Sequence, residues 1–187
     1  MKKTALVVLI VYFISASLMN CRAGDPDTTK TYRDYPVPEW NAKLMFYLQR
    51  THNRNTVIYE LNYSKGNRLD PDKPLRPIWI RFEEGGIRKE LSLIQDRVFG
   101  LDVKQTSKDS WVVRFRSYKK RDVFIMRDGG RNSYKALVKI NGKMVKLTHL
   151  YLSMTTNVLG IPSVISYIDI YGIDTETRST VIERIIP

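Results

Sequence analysis

Tight turn signals between short alternating apolar runs set the strongest constraint on this fold. Asn141-Gly142 separates the runs Ser133–Ile140 and Lys143–Leu152, and Asp128-Gly129-Gly130 separates Asp122–Arg127 from Ser133–Ile140. Asn-Gly is the strongest short hairpin signal, because both residues tolerate the positive φ of a type I′ turn. Connections this short cannot hold a crossover helix. They suit antiparallel neighbours and exclude the βαβ pattern.

The rest of the chain extends the pattern. Lys43–Arg50 (KLMFYLQR) reads as a buried strand. Thr56–Asn62 alternates, with Val57, Tyr59 and Leu61 on one face and Glu60 and Asn62 on the other. The polar stretch His52-Asn53-Arg54-Asn55 makes these two a hairpin. Ser64–Arg76 carries Gly66, Asn67, Pro71, Asp72 and Pro74 and reads as a loop. Ile78–Phe82 alternates again, with Trp79 and Arg81 opposite Ile78, Ile80 and Phe82. Trp111–Tyr118 opens the meander, and Val164–Tyr171 with Thr180–Ile185 forms a last hairpin. Ile87, Leu91, Ile94 and Val98 fall at i, i+4, i+7 and i+11. That spacing predicts one amphipathic helix near 87–98, opened by Gly85-Gly86 and closed by Gly100. The expected fold is mainly β, an antiparallel meander of eight or nine strands with that one helix. A sheet of this size curls into a barrel or splits into a two-layer sandwich.

The N-terminus places the chain in the cell. Lys2 and Lys3 precede the apolar run Ala5–Ile14, which continues through Ser15-Ala16-Ser17 to Met19. This is the layout of a secretory signal, and residues 1–20 are read as one. Leu18-Met19-Asn20-Cys21 resembles a lipobox, in which the Cys is lipidated and becomes the first mature residue. Cleavage after Ala23 is the alternative. Residues 21–40, with Pro26, Pro36 and Pro38, are then an anchor and flexible tether, and 41–187 a single β-rich domain. Cys21 is the only cysteine, so internal disulfides and multi-Cys zinc sites are excluded. Two His residues leave little for a metal centre, and no Gly-rich phosphate loop stands in a strand-to-helix context, so no cofactor is expected.

Thirty-one Lys and Arg against 19 Asp and Glu give a charge of +12, which becomes +10 when Lys2 and Lys3 leave with the signal. Nucleic acid is the default partner of a basic chain, but not of an exported one. Anionic lipid, an acidic glycan or a small amphiphile replaces it, with the membrane reached through the lipid anchor. The expected location is the cell envelope, facing the periplasm or the surface. A solubilising surface without a specific partner is the plainer reading of the same charge.

Three groups of residues are candidate sites. The turn Arg50–Asn55 (RTHNRN) offers Arg50, His52, Asn53 and Asn55 as a clamp for phosphate or carboxylate. The strand face Trp79-x-Arg81-x-Glu83 would be an aromatic and charged pocket if it lined a barrel interior. Arg114, Arg116, Lys119, Lys120 and Arg121 would form a patch for an anionic surface, or else a solubilising strand edge. Carboxylate chemistry would fall to Glu83 or Glu90 with His52. His149, inside a hairpin strand, reads as structural.

Phe46–Asn62 (FYLQRTHNRNTVIYELN), Pro77–Gln95 (PIWIRFEEGGIRKELSLIQ) and Tyr167–Pro187 (YIDIYGIDTETRSTVIERIIP) resemble the bacterial family called domain of unknown function 4833. The resemblance spans about residues 43–187. It implies one exported domain of the kind found in many Bacteroidetes, and it carries no activity, ligand or catalytic residue. It adds weight to Gln49, Arg50, Asn53, Asn55, Trp79, Arg81 and Arg88, which stand in the matching stretches. The leading expectation is a non-enzymatic envelope domain binding an anionic or amphiphilic ligand through Arg50, Trp79, Arg81 and Arg88. A structural or assembly protein of the envelope and a carboxylate-dependent hydrolase are the alternatives.

Overall fold

The computed structural model describes residues 35–64, 68–130, 133–156 and 162–187. The expected signal segment and Cys21 lie outside them. The described residues form β1 (Leu44–Arg50), β2 (Asn53–Leu61), β3 (Leu75–Arg81), β4 (Ile87–Glu90), α1 (Leu93–Phe99), β5 (Leu101–Ser107), β6 (Ser110–Phe115), β7 (Tyr118–Arg127), β8 (Tyr134–Ile140), β9 (Lys143–Thr156), β10 (Pro162–Ile173) and β11 (Thr180–Ile185). The mainly-β expectation holds. β4 and β5 are strands beyond those expected.

Nine strands run in the order β4-β3-β2-β1-β9-β8-β7-β6-β5, and β10 joins β9 to β11. β9 is the hub. With 14 residues it is long enough to carry two partners end to end on one edge. β8 pairs along Lys143–Lys146 and β1 along His149–Leu152, while β10 occupies the opposite edge. Two wings, β1–β4 and β5–β8, therefore hang from one edge and curl toward each other as a half-barrel. The β1–β9 pair is parallel, the exception to the expected antiparallel meander. Parallel neighbours need a long crossover, and here the whole β2–β8 excursion supplies it. β1 is buried at all seven positions, as expected of a buried strand, including Gln49 and Arg50, which follow its apolar run Leu44–Leu48.

The wings close on an apolar core. Phe46 stacks on Tyr59 at 4.5 Å, and Phe115 from the other wing meets both rings edge-on at 6.2 and 5.5 Å. Such offset and edge-on contacts suit the charge distribution of aromatic rings. The buried Tyr59 hydroxyl donates to the Phe99 carbonyl at 2.9 Å, so its polar atom is satisfied. Alternation fixes the faces as expected: Val57, Tyr59, Leu61 and Trp79 join this inner core, and Ile58, Ile78, Ile80 and Phe82 join an outer cluster.

The helix begins later than the apolar spacing predicts. Gly85 (φ 76) and Gly86 (φ 80) are both left-handed and turn the chain back on itself after a 3-10 turn at Phe82–Glu84. Residues 87–90 then pair with β3, from Arg81↔Ile87 to Ile78↔Glu90. Residues i and i+4 share a face in a strand as well as in a helix, so Ile87 and Leu91 do not distinguish the two. Ser92 starts α1 with a capping box to Gln95, and Gly100 ends it as expected.

Residues 35–40, expected in the tether, are packed. Gln49 Nε2 donates to the Pro36 carbonyl at 2.9 Å, buried Tyr35 lies 6.2 Å from Tyr151, and Trp40 meets Tyr47 edge-on at 6.0 Å. Beside this strap, on the outer face, His149 is stacked between Tyr47 (4.9 Å) and Tyr171 (4.1 Å).

Candidate functional site

β1 ends in a charge where its apolar run would continue the core. Arg50 is 7% exposed. Its guanidinium lies 5.2 Å from the centre of Trp79 and 5.8 Å from that of Phe99. Both are within cation–π range. Among the described residues no carboxylate pairs with Arg50 and no acceptor is hydrogen-bonded to it. Thr56 Oγ1 is the one fully enclosed side-chain polar atom without a partner among those residues. The Arg50 nitrogens are therefore not sealed in: the stem is buried and the fork keeps contact with solvent. Burial pushes the Arg50 pKa down from 12.5 to about 10, against the pull of Glu83 and Tyr35. It stays a cation at neutral pH.

The surrounding turn is braced by its own side chains. Thr51-His52 makes the reversal, with His52 left-handed (φ 59). Asn53 Oδ1 accepts from the Asn55 N–H at 2.8 Å, an Asx turn. Asn55 and Glu83 bond reciprocally: Asn55 Nδ2 donates to Glu83 Oε2 at 3.4 Å, and the Glu83 N–H donates to Asn55 Oδ1 at 3.1 Å. Glu83 Oε1 also accepts from the Arg54 N–H at 3.1 Å. On the other side Tyr35 is hydrogen-bonded to Tyr151 and to the His52 backbone, while burial pushes its hydroxyl pKa up. Glu83 thus stays near Arg50 without pairing with it, because its oxygens are engaged by the β2 turn.

The structure brings Arg50, Asn53, Asn55, Trp79 and Glu83 into one cluster, and His52 enters it through its backbone. It does not bring Arg88, which pairs with Glu60 at 2.7 Å on the outer face. Arg81 pairs with Glu84. Trp79 is a core residue, not the wall of an enclosed cavity. Glu90 is bonded to Arg76. Phe99 and Tyr35 were not candidates from sequence; they arrive from α1 and from the strap, and nothing local marks them. Two clefts of about 190 Å³ open elsewhere, one beside Trp40 and Lys146, the other along β5–β7.

The expected basic patch is largely neutralised. Arg114 pairs with Asp122, Arg116 with Asp96 and Asp102, Lys119 with Asp102 at 2.8 Å, and Arg121 with Glu183 at 2.7 Å. Lys120 alone of the five has no carboxylate partner among the described residues. The acids come from α1, β5, β7 and β11, so the cations serve to tie neighbouring elements together.

A family model described as a domain of unknown function (DUF4833) matches residues 46–184. The chain belongs to this family. Every residue of the Arg50 cluster except Tyr35 lies inside the matched span. No curated protein and no solved structure matches the DUF4833 chain significantly.

Proposed function

We propose that this DUF4833 protein is an exported envelope protein, anchored through Cys21, whose domain binds a small anionic or amphiphilic ligand without transforming it. The observation that carries the reading is the Arg50 fork, buried along its stem, floored by Trp79 and Phe99, and unpaired. A desolvated charge is costly unless a counter-charge meets it. A phosphate or carboxylate fits the planar fork bidentately, and the ring floor suits an apolar group attached to it. The carboxylates nearest the turn are committed to Asn55, the Arg54 N–H and Arg76, which speaks against acid–base chemistry there.

Native mass spectrometry of the purified full chain tests this. A co-purifying anionic mass, absent from Arg50→Met, is expected; a ligand-free wild type that also ignores added phosphate, carboxylates and phospholipid headgroups refutes it. Labelling cells with a radioactive fatty acid tests the anchor. Label in wild type but not in Cys21→Ser is expected, and an unlabelled wild type refutes it. A second reading, an assembly protein adding a partner strand, is supported by the edge strand β11, with Ile182 49% exposed on it and Ile186 79% exposed just beyond its end. Partner-dependent amide protection confined to β11 would favour it.

A further inference from the structure

The geometry points to the outer face of the β5–β9 wing as a docking surface for an anionic lipid bilayer. One register row crosses six strands: Lys104↔Val112, Val112↔Phe124, Phe124↔Leu137, Leu137↔Lys146 and Lys146↔Ile173. Residues directly opposite in antiparallel ladders share a face. The inner face of the same strands holds Trp111, Val113, Ile125, Ala136, Val138 and Val145, so this row points away from the core. Its apolar centre, Val112, Phe124 and Leu137, is half-buried and flanked by Lys104 and Lys146, with Ile173, 36% exposed, beyond Lys146.

Neighbouring positions repeat the chemistry. Met126 is 39% and Met144 41% exposed, and Lys139, directly opposite Met144, shares the face. Lys104, Lys139 and Lys146 have no carboxylate partner among the described residues. The acids nearby, Asp102, Asp122 and Asp128, are already paired. The face therefore carries unpaired positive charge around an apolar floor. Trp40 stands at its rim, 47% exposed and lining a cleft with Lys135 and Lys146. Tryptophan favours the membrane–water boundary, where its ring is part apolar and part wet.

The row spans six strands, and the 190 Å³ cleft on this face is undersized for a small ligand, so the array suits an extended surface better. Lysine stems cover apolar surface while their ammonium groups reach headgroup phosphates. The strap bearing Tyr35 packs on Tyr151, on this same outer side of β9. The inference rests on the row and its charges and is independent of the Arg50 reading.

A fluorescent reporter on the face tests it. The full chain carrying Cys21→Ser takes a single new cysteine at Met144, or at Leu93 on α1 as control, labelled with a polarity-sensitive nitrobenzoxadiazole dye. The Met144 dye is expected to shift to the blue on phosphatidylglycerol vesicles and not on phosphatidylcholine, with the Leu93 dye silent on both. Lys104→Ser, Lys139→Ser and Lys146→Ser together should raise the lipid concentration needed on the order of 100-fold. Lys146→Ser alone, about 5-fold, serves if the triple variant does not fold. A Met144 shift of equal size on neutral vesicles, no shift on either lipid, or lysine variants that behave as wild type overturn the proposal.

Discussion

Replacing Arg50 by Met should make the empty protein no less stable and the ligand response vanish. The fall of the Arg50 pKa from 12.5 to about 10 corresponds to roughly 3 kcal/mol of cost for holding the charge in place. The two ring contacts at 5.2 and 5.8 Å return about 0.5–2 kcal/mol. The unliganded charge is thus a net burden of about 1–2 kcal/mol, which Met removes while keeping much of the stem's packing. Partial loss of volume offsets some of this. The melting temperature of Arg50→Met is therefore expected to equal that of wild type or exceed it by about 2–4 °C. An anion at a hundred times its dissociation constant stabilises wild type by about 2.7 kcal/mol, or about 5–10 °C, and leaves Arg50→Met unmoved. Thermal denaturation of both proteins against a panel of phosphate and carboxylate compounds reads both effects. A variant that melts more than about 5 °C lower, beside a wild type insensitive to every anion, would show that Arg50 is a packing residue and would refute the reasoning.

Glu83→Gln keeps one acceptor oxygen for the Arg54 N–H or Asn55 Nδ2, loses the other, and removes a negative charge that competes for Arg50, so anion affinity measured by calorimetry should rise; a fall would mean that Glu83 supports the site. His149, burial having lowered its pKa from 6.5 to about 4, is favoured neutral in the fold. Its stabilising effect is complete above pH 6.5 and declines as pH falls toward 4. Urea melts of wild type should lose up to about 2 kcal/mol more across that window than His149→Phe, after allowing for partial exposure, and equal losses would discount the ring stack. At Gly172 an added Cβ would meet Val145 Cγ2 at 2.5 Å and the Lys146 carbonyl at 3.0 Å, so Gly172→Ala should lower stability by about 1–3 kcal/mol in denaturant titration. Tyr59→Phe removes the donor to the Phe99 carbonyl and should cost about 1 kcal/mol; an unchanged midpoint would mean that water replaces the bond.

Local signals made much of the architecture readable. Asn141 (φ 47) and Gly142 (φ 87) adopt the expected left-handed pair, since that turn is decided by two residues and the twist of their own strands. The faces of β2 and β3 follow alternation for the same reason. The helix start was less readable: Ile87 and Leu91 fit both periods, and the Ser92-x-x-Gln95 capping box was the overlooked cue. The strap was missed because Pro36 and Pro38 signal only the absence of regular structure, whereas its packing depends on Tyr151 and Gln49 far along the chain. Within the cluster, Arg50, Asn53 and Asn55 are legible from the polar turn that holds them, and Trp79 and Glu83 from alternation along one segment; the pairing of β2 with β3 brings the two groups together. Phe99 and Tyr35 were not, because contacts between distant segments leave no local trace.

The sequence by itself determined most of the strands, their alternation and the tight turns, which depend on residues a few positions apart, and the excess of positive charge, which is a matter of composition. Only the tertiary structure decided how that charge is spent. It placed Asp96, Asp102, Asp122 and Glu183 against the basic run at 114–121, withheld Glu83 from Arg50, and left Lys104, Lys139 and Lys146 without a carboxylate partner among the described residues on one sheet face. Ion pairing falls off steeply with distance and desolvation depends on everything that surrounds a group, so an arginine is a tie, a surface charge or a solvent-touching fork on a buried stem according to partners that the chain supplies from elsewhere.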